Sequence, residues 1–251
     1  YLAMRPTGLD QEDPIHYFTM HAEEWRSATS WPPVQAAARF YTSGDVLEPQ
    51  LPAVESARNY QVDFTTGSGA HTRYERIAGI EVTTYHDEWD RRQDQLLSYV
   101  SAPLNRDMEI AGHPVASLWL SSGEPDAAIF LYLFEVEADG RRRYVSEGML
   151  RAIHRAEGSA PENYRTTWPW HTFARSDARP MPIGKPELLR FALLPIAWTF
   201  AKGSRIQISL AGADHDHFAQ TPHGRPPLLT LHSGGAHASL LALPVRESNN
   251  E

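Results

Sequence analysis

Two aspartates and two histidines occupy four consecutive positions in 214-DHDH-217, directly after a segment that alternates apolar and polar residues. If a strand continued through this stretch, His215 and His217 would project from one face, where imidazole nitrogens can share a transition metal. The following residues, FAQTP, add no carboxylate or histidine, and His223 stands in a segment rich in Pro and Gly. We therefore favour a polar loop whose Asp or His side chains cap backbone groups, and we expect no metal and no cofactor.

Nucleophilic catalysis has no clear sequence signature here. A serine hydrolase of the α/β class carries its serine on a sharp strand-to-helix turn, usually within G-x-S-x-G. That pattern is absent, and 67-GSG-69 and 233-SGG-235 lack both its spacing and a helical continuation. The acidic residues fall mostly in predicted turns and at strand ends, where solvated carboxylates are ordinary. We assign no catalytic residue to this chain.

Two aromatic clusters are the remaining candidates for a binding surface. One is 168-WPWHTF-173, with Trp168 and Trp170, and the other is the Trp25 and Trp31 pair in 23-EEWRSATSWPP-33. Exposed aromatic rings on a β-sandwich can stack on sugars, whereas large aromatics flanked by proline also cover a core or an interdomain contact. We favour cover and keep the sugar platform as the alternative.

Composition narrows the class of protein. The 251 residues carry a formal charge of -8, which disfavours nucleic acid and anionic lipid as partners. No cysteine is present, so thiolate catalysis and thiolate metal ligation are excluded. The N-terminal segment has neither the basic nor the apolar region of a signal peptide, and no apolar run is long enough to span a bilayer. We expect a soluble chain, with the cytoplasm slightly favoured and the compartment otherwise open.

Short apolar runs separated by Gly and Pro predict an all-β protein. In 205-RIQISL-210 every second residue is apolar, as in a strand with one buried face, while 127-AAIFLYLFEV-136 is apolar on both faces. The pair 139-DG-140 predicts a turn. Some helical character is expected only over 87–97, with Asp87 as N-cap. The pattern favours an antiparallel jelly-roll β-sandwich. Strands are predicted at 15–20, 37–42, 59–64, 80–85, 115–121, 127–136, 141–150, 187–194, 205–210, 228–233 and 238–245.

Several segments stand in a recognisable order along the chain. They are 25-WRSATSWPP-33, 59-NYQVDF-64, 99-YVSAPL-104, 148-GMLRAIHR-155, 194-LPIAWTFAKGSRI-206 and 239-SLLALPV-245. Together they resemble the C-terminal domain of the cocaine-esterase-like hydrolases, a group that includes X-Pro dipeptidyl-peptidases and α-amino-acid ester hydrolases. One departure is Ser204, where that family usually has His.

The resemblance implies a galactose-binding-like jelly roll that packs on an α/β-hydrolase domain bearing a Ser-Asp-His triad. Only about twenty-four residues precede Trp25, so we expect 1–35 to be an irregular linker from a missing upstream domain and 36–247 to be the sandwich. The chain is then a noncatalytic accessory domain of a serine hydrolase, inactive alone, whose partner is the catalytic domain, upstream in the parent chain or separate.

The resemblance also suggests which residues lie near the chemistry. It places Thr72, Arg73 and Tyr74 at the substrate cleft or domain interface, although a hairpin loop without substrate contact fits the sequence equally well. Arg151 could pair with the neighbouring domain or be an ordinary strand-edge charge. Asp214 is expected to fix its loop as a hydrogen-bond acceptor.

Two alternatives come from other classes of protein. A carbohydrate-binding β-sandwich would use Trp168 and Trp170, and a metal-dependent cupin-type enzyme would use His215 and His217. A homo-oligomer that covers the docking face is also compatible with the sequence.

Overall fold

The computed structural model describes residues 8–33, 36–74, 85–86 and 92–246. Fifteen strands and a few short 3-10 turns account for the regular structure of these residues, and no helix among them is long and apolar enough to cross a membrane. The strands are β1 Ile15–Thr19, β2 Glu24–Ala28, β3 Ala36–Ser43, β4 Val46–Glu48, β5 Ser56–Gln61, β6 Leu97–Ser101, β7 Met108–Gly112, β8 Val115–Ser122, β9 Ala128–Val136, β10 Arg142–Arg151, β11 Glu187–Ala192, β12 Ile196–Phe200, β13 Arg205–Ala211, β14 Leu228–Ser233 and β15 Leu240–Val245.

The strands form a jelly-roll sandwich with an added hairpin. Hydrogen bonding runs in the order β10-β9-β13-β6-β4-β3-β15-β8-β14-β5, with β11 also on β8 and the β7–β12 pair joined to β15. The β4–β6 pairing is parallel, and the other strand ladders in the described residues are antiparallel. Strands far apart in sequence are neighbours, as Greek-key connections require. The predicted fold class is confirmed.

The main core lies between two layers of strands. Leu131, Ile208 and Leu118 meet there, together with Leu231 from β14 and Leu241 from β15. All five are almost completely shielded from solvent. The period-two alternation in β13 therefore has its predicted cause, because Ile206, Ile208 and Leu210 all face this core.

Strand β9 is buried on both faces, as its continuous apolar sequence predicts. Its odd-numbered residues from Ile129 to Leu133 enter the main core. Phe130, Tyr132 and Phe134 face the opposite way and form a second cluster with Tyr144. This second cluster, which we call the outer cluster, needs its own cover, since leaving large apolar side chains in water costs free energy.

Several strand predictions need correction. Sequence patterns gave no strand for β2, β4, β6, β7 or β12. The helix predicted over 87–97 is wrong where it can be compared, because residues 92–95 form a 3-10 turn and β6 begins at Leu97.

The strand predicted at 59–64 runs instead from Ser56 to Gln61. It stops there because Asp63 Oδ1 accepts hydrogen bonds from the backbone nitrogen and hydroxyl of Thr65, at 2.8 and 2.7 Å, which closes a turn. The strand predicted at 80–85 lies outside the described residues except for its last position, Tyr85, which is in a turn; Asp87 also lies outside them.

The N-terminal segment was predicted to be irregular, but its described part contains the β1–β2 hairpin, which is attached by a buried carboxylate. Strands β1 and β2 pair with each other, and the hairpin packs beside β12 through a bridge between Met20 and Trp198. Glu135 is fully buried. It accepts hydrogen bonds from Trp198 Nε1 at 2.9 Å and the Ala201 backbone nitrogen at 2.8 Å, and it contacts His21 Nδ1 at 2.8 Å. The hairpin is therefore tied to β9 and β12 by one side chain.

Replacing this carboxylate should destabilise the fold. In the Glu135→Gln variant one acceptor oxygen is replaced by an NH2 donor, so the three groups that contact the carboxylate share a single acceptor. We therefore expect a loss of about 2 to 3 kcal/mol in the free energy of unfolding. Urea denaturation measures it. The matched control is Glu162→Gln at an exposed position, where we expect a change under about 0.5 kcal/mol. Equal stabilities for the two variants would contradict the anchoring role of Glu135.

Candidate functional site

Two loops meet beyond the end of β13. The first comprises residues 62–74 after β5, and the second comprises residues 212–218 after β13; we call them together the loop cluster. Asp214, which is 2% exposed, accepts hydrogen bonds from the Ser68 backbone nitrogen at 3.1 Å and from the Ser68 hydroxyl at 2.7 Å. The His215 backbone nitrogen donates to the Thr66 carbonyl at 2.8 Å. Asp214 thus holds the two loops together.

Glycine permits this close approach at two positions. A Cβ at Gly67 would lie 2.2 Å from Asp216 Oδ2, and a Cβ at Gly212 would lie 2.2 Å from Val62 Cγ2. Both separations are far below van der Waals contact. The GSG sequence at 67–69 therefore serves loop packing, and Gly69 adds a backbone hydrogen bond to Asp216 Oδ2 at 2.7 Å.

The histidines of the DHDH stretch have separate surroundings. His217 Nε2 lies 3.2 Å from the Gly69 carbonyl and 3.3 Å from the Thr72 hydroxyl, and its ring packs beside Tyr74. His215 is half-exposed, with Nε2 3.1 Å from Asp216 Oδ1. Among the described residues no group of three or more His, Asp or Glu side chains is arranged to hold a metal ion. The geometry is that of a cross-linked loop.

A buried carboxylate lies beneath the first loop. Glu147 on β10 is 1% exposed. Arg73 Nε donates to Glu147 Oε1, and His86 Nε2 lies 3.4 Å from Oε2. Burial raises the pKa of Glu147, but the contacts with His86 and Arg73 outweigh it and hold that pKa below its ordinary value. Glu147 is therefore a fixed negative charge that determines where Arg73 lies.

Tyrosines complete the surroundings of this charge. Arg73 donates a hydrogen bond to the Tyr74 hydroxyl at 2.9 Å, and its guanidinium lies 4.4 Å from the centre of the Tyr74 ring. Burial and the Glu147 carboxylate raise the pKa of Tyr74, and the same two causes raise the pKa of Tyr144. Both phenols stay protonated near neutral pH and can donate hydrogen bonds.

The sequence-predicted candidates divide into three places. Thr72, Arg73, Tyr74 and Asp214 lie in the loop cluster. Arg151 does not: its Nε donates to Asp126 Oδ2 at 2.7 Å, so its ion pair is within the chain. Trp168 and Trp170 lie in the 156–172 loop beside β8 and β11. Trp168 packs on the His113 ring, with ring centres 3.8 Å apart, and Trp170 contacts Tyr164.

Sequence reasoning missed Glu147 and His86. The available signal for Glu147 was a single carboxylate in the middle of a predicted strand, between Val145 and Leu150. Its surroundings could not be predicted, because a β-bulge between Tyr144 and Ser146 changes which side chains share a face of the strand. In a regular strand Tyr144 and Glu147 would face opposite sides, but the extra residue places both on the face of the outer cluster, opposite Phe134 and Tyr132 respectively.

One serine-histidine contact also occurs. The Ser121 hydroxyl lies 3.0 Å from His232 Nε2. Burial is the main cause that lowers the pKa of His232, and the neighbouring His237 lowers it further. In the described residues no carboxylate hydrogen-bonds to the other nitrogen of this ring, so the pair lacks the orienting acid of a Ser-His-Asp triad.

The strand order and the buried core define a jelly-roll β-sandwich domain. Comparison with known families makes this specific. The family model described as "X-Pro dipeptidyl-peptidase C-terminal non-catalytic domain" matches residues 7–242. The chain belongs to this family.

Named sequence relatives agree with that assignment. The chain is 41% identical over 241 residues to "Putative serine esterase Mb1866c" of Mycobacterium bovis, covering 95% of this chain and 38% of the relative. It is 27% identical over 157 residues to the cocaine esterase of a Rhodococcus species, covering 56% and 26%. This chain therefore spans well under half the length of these relatives.

The structural neighbours share the fold at low sequence identity. A CocE/NonD family hydrolase from Staphylococcus aureus superposes with a TM-score of 0.73 at 15% identity, covering 98% of this chain and 44% of that one. An α-amino acid ester hydrolase gives a TM-score of 0.72 at 19% identity, covering 93% and 41%. In both, the matched fold is part of a longer chain.

The Asp214–Ser68 link should be measurable as an energetic coupling. Asp214→Ala leaves a buried hydroxyl and a backbone donor without their acceptor, and we expect a loss of about 2 kcal/mol in the free energy of unfolding. Ser68→Ala removes only one hydrogen bond and should cost about 1 kcal/mol. The double variant should lose less than the sum, with a coupling of about 1 kcal/mol by urea denaturation. Additivity within about 0.3 kcal/mol would show that the contact carries no stability.

Glu147 should contribute to the pH dependence of stability. Its folded-state pKa is lowered, so on acidification the unfolded chain binds the proton first, and the contribution of Glu147 declines as pH falls through the folded-state pKa. We therefore expect the stability difference between wild type and Glu147→Gln to be constant from about pH 7 to 6 and to shrink toward about pH 3. Urea denaturation at each pH measures it.

Arg73→Gln provides the graded comparison. It removes one of the two contacts that lower the pKa of Glu147, so its pH dependence should lie between those of wild type and Glu147→Gln. A wild-type advantage over Glu147→Gln that stays unchanged to the lowest pH would contradict the lowered pKa.

Proposed function

We propose that this chain is the noncatalytic accessory domain of a serine hydrolase, and that its loop cluster lies at the junction with an α/β-hydrolase domain. The main support is the sequence match to the relative named "Putative serine esterase Mb1866c", which covers 95% of this chain but only 38% of that relative. The remaining part of that relative has room for a catalytic domain. Family membership agrees, because the matched family is described as non-catalytic.

The loop cluster suits a position at a domain junction. Thr72 and Asp214 are buried and hold the loop, whereas Arg73 and Tyr74 retain partial exposure above Glu147. A guanidinium whose position is set by a buried carboxylate can present its remaining donors in a fixed direction. Arg73 and Tyr74 therefore act as positioning residues that shape one wall of a cleft, and the chemistry belongs to the partner domain.

The N-terminal segment offers apolar surface for the same partner. Trp25 is 70% exposed and packs edge-on against Phe18, which is 38% exposed. Leu9 and Trp31 add further exposed apolar area in the same segment. Concentrated exposed aromatics of this kind are typical of docking surfaces. The segment 1–35 then acts as the connection to the catalytic domain and 36–247 as the sandwich.

The reaction that this proposal assigns to the whole protein is acyl transfer to water. An ester is the substrate class that the names of the sequence relatives support. The serine nucleophile, its histidine base and the acyl-enzyme all belong to the α/β domain. This chain contributes binding surface and excludes water from one side of the cleft.

The test compares this chain alone with the same chain joined to the α/β-hydrolase domain that the proposal assigns to its parent protein. We expect no hydrolysis of p-nitrophenyl butyrate above buffer for the chain alone. In the joined protein, Arg73→Gln should lower kcat/KM by about tenfold through lost positioning, with the serine still reactive toward a fluorophosphonate probe.

Arg141→Gln is the matched control, because Arg141 lies in the exposed turn after β9 and pairs with Glu137. It should leave kcat/KM within about twofold. The proposal fails if the chain alone turns over substrate, or if Arg73→Gln and Arg141→Gln behave alike in the joined protein.

A further inference from the structure

A groove of about 650 Å³ lies on the other outer face of the sandwich. Its floor comes from β3, β15, β8 and β11, and residues of the 156–172 loop form a wall. Ser117 and Arg190 line the groove, while their neighbours Leu118 and Leu189 point into the main core. Side chains alternate across a sheet, so the groove faces away from that core, whereas the loop cluster covers the outer face of β9 and β10. Its volume is in the range of small-molecule sites.

Small side chains keep the floor of the groove open. Ala242 of β15 lies opposite Arg39 of β3 on one side and Val115 of β8 on the other. Leu240 lies opposite Ser117. With alanine, serine and valine between two arginines, a flat ligand can reach the sheet surface.

The charged groups of the groove differ in their pairing. Arg190 Nη1 lies 3.1 Å from both carboxylate oxygens of Glu157. Arg39 is exposed, and its guanidinium makes no hydrogen bond or ion pair with any residue that the structure describes. The groove therefore combines a neutralised pair, which offers donors and acceptors together, with a guanidinium available for an anion.

The aromatic wall is fixed in place. His171, which is buried, contacts the Ala156 carbonyl through Nδ1 at 3.1 Å and the Arg190 carbonyl through Nε2 at 2.7 Å. The backbone of Trp170 accepts a hydrogen bond from Gly158 at 2.9 Å. The loop is thus attached to β11 beside the groove, and Trp168 and Trp170 are held there before any ligand arrives.

We propose that this groove binds a saccharide that carries a carboxylate, such as a uronate unit. The C–H face of a pyranose ring packs on indole, vicinal hydroxyls match the mixed donors and acceptors of Arg190 and Glu157, and the carboxylate matches Arg39. An acidic peptide is the competing class of ligand. It is less well matched, because the faces of two indoles favour a flat ring over an extended peptide side chain.

The binding test uses the 251-residue chain with two probes, trigalacturonate and its fully methyl-esterified, uncharged counterpart. Calorimetry and tryptophan fluorescence measure the affinity for each probe. We expect trigalacturonate to bind about tenfold more tightly than the ester, and Arg39→Gln to abolish that difference. Trp170→Ala should weaken both probes at least fivefold. Arg141→Gln, which removes an arginine elsewhere, should leave both affinities within twofold.

Several results would overturn the proposal. The first is that neither probe binds at millimolar concentration. The second is that binding survives both Arg39→Gln and Trp170→Ala. The third is that an oligoglutamate peptide binds at Arg39 while trigalacturonate does not. Near-ultraviolet circular dichroism of each variant distinguishes a lost contact from a misfolded loop. If only a misfolded Trp170→Ala loses binding, the Arg39→Gln comparison alone decides the outcome. Failure of this test leaves the accessory role untouched, since that role was argued from the loop cluster and the N-terminal segment and not from this groove.

Discussion

Large apolar side chains on both sides of β9 impose a requirement that one sandwich core cannot meet. Leu131 and Leu133 are buried against the opposite layer, while Phe130, Tyr132 and Phe134 face outward. Burying an aromatic side chain contributes roughly 2 kcal/mol, so the outward set strongly favours any segment that covers it. Phe218 from the second loop, with Leu96 and Tyr85, supplies cover. The loop cluster is therefore held over this face by the same apolar burial that places β9 between β10 and β13.

Apolar cover does not determine which loop atoms lie over which strand atoms, because hydrophobic burial is not directional. The polar contacts supply that register. Glu147 emerges on the covered face and can remain ionised there only with Arg73 and His86 beside it. Asp214 similarly accepts from both donors of Ser68. Each buried carboxylate specifies one loop position, and Arg73 and Tyr74 owe their direction to that specification.

The sequence predicted the features that depend on local pattern. Alternation identified β13, continuous apolar character identified the two-sided burial of β9, and the Asp139–Gly140 pair identified a turn at which Gly140 has φ of 90°. Contacts between distant residues were not predictable in this way. Ser68 and Asp214 are 146 positions apart, and the bulge before Ser146 changes which side chains share a face without an evident sequence signal. Family resemblance directed attention to the loop at 66–74, but only the fold reveals the carboxylate beneath it.

The two outer faces of the sandwich have different chemistry for a physical reason. The face of β9 and β10 carries aromatic rings and must be covered, so it is suited to permanent contacts within the chain or with a partner domain. The face of β3, β15 and β8 carries alanine, serine and arginine with only Val115 and Leu240 as larger aliphatic side chains, so it is stable in water without cover. Arg39 and the Trp170 wall would therefore stay accessible under the proposed docking of a domain over the loop cluster. A partner on one face and a small ligand on the other do not compete for surface, and the rigid core between Leu131 and Leu118 keeps the geometry of each face independent of occupancy at the other.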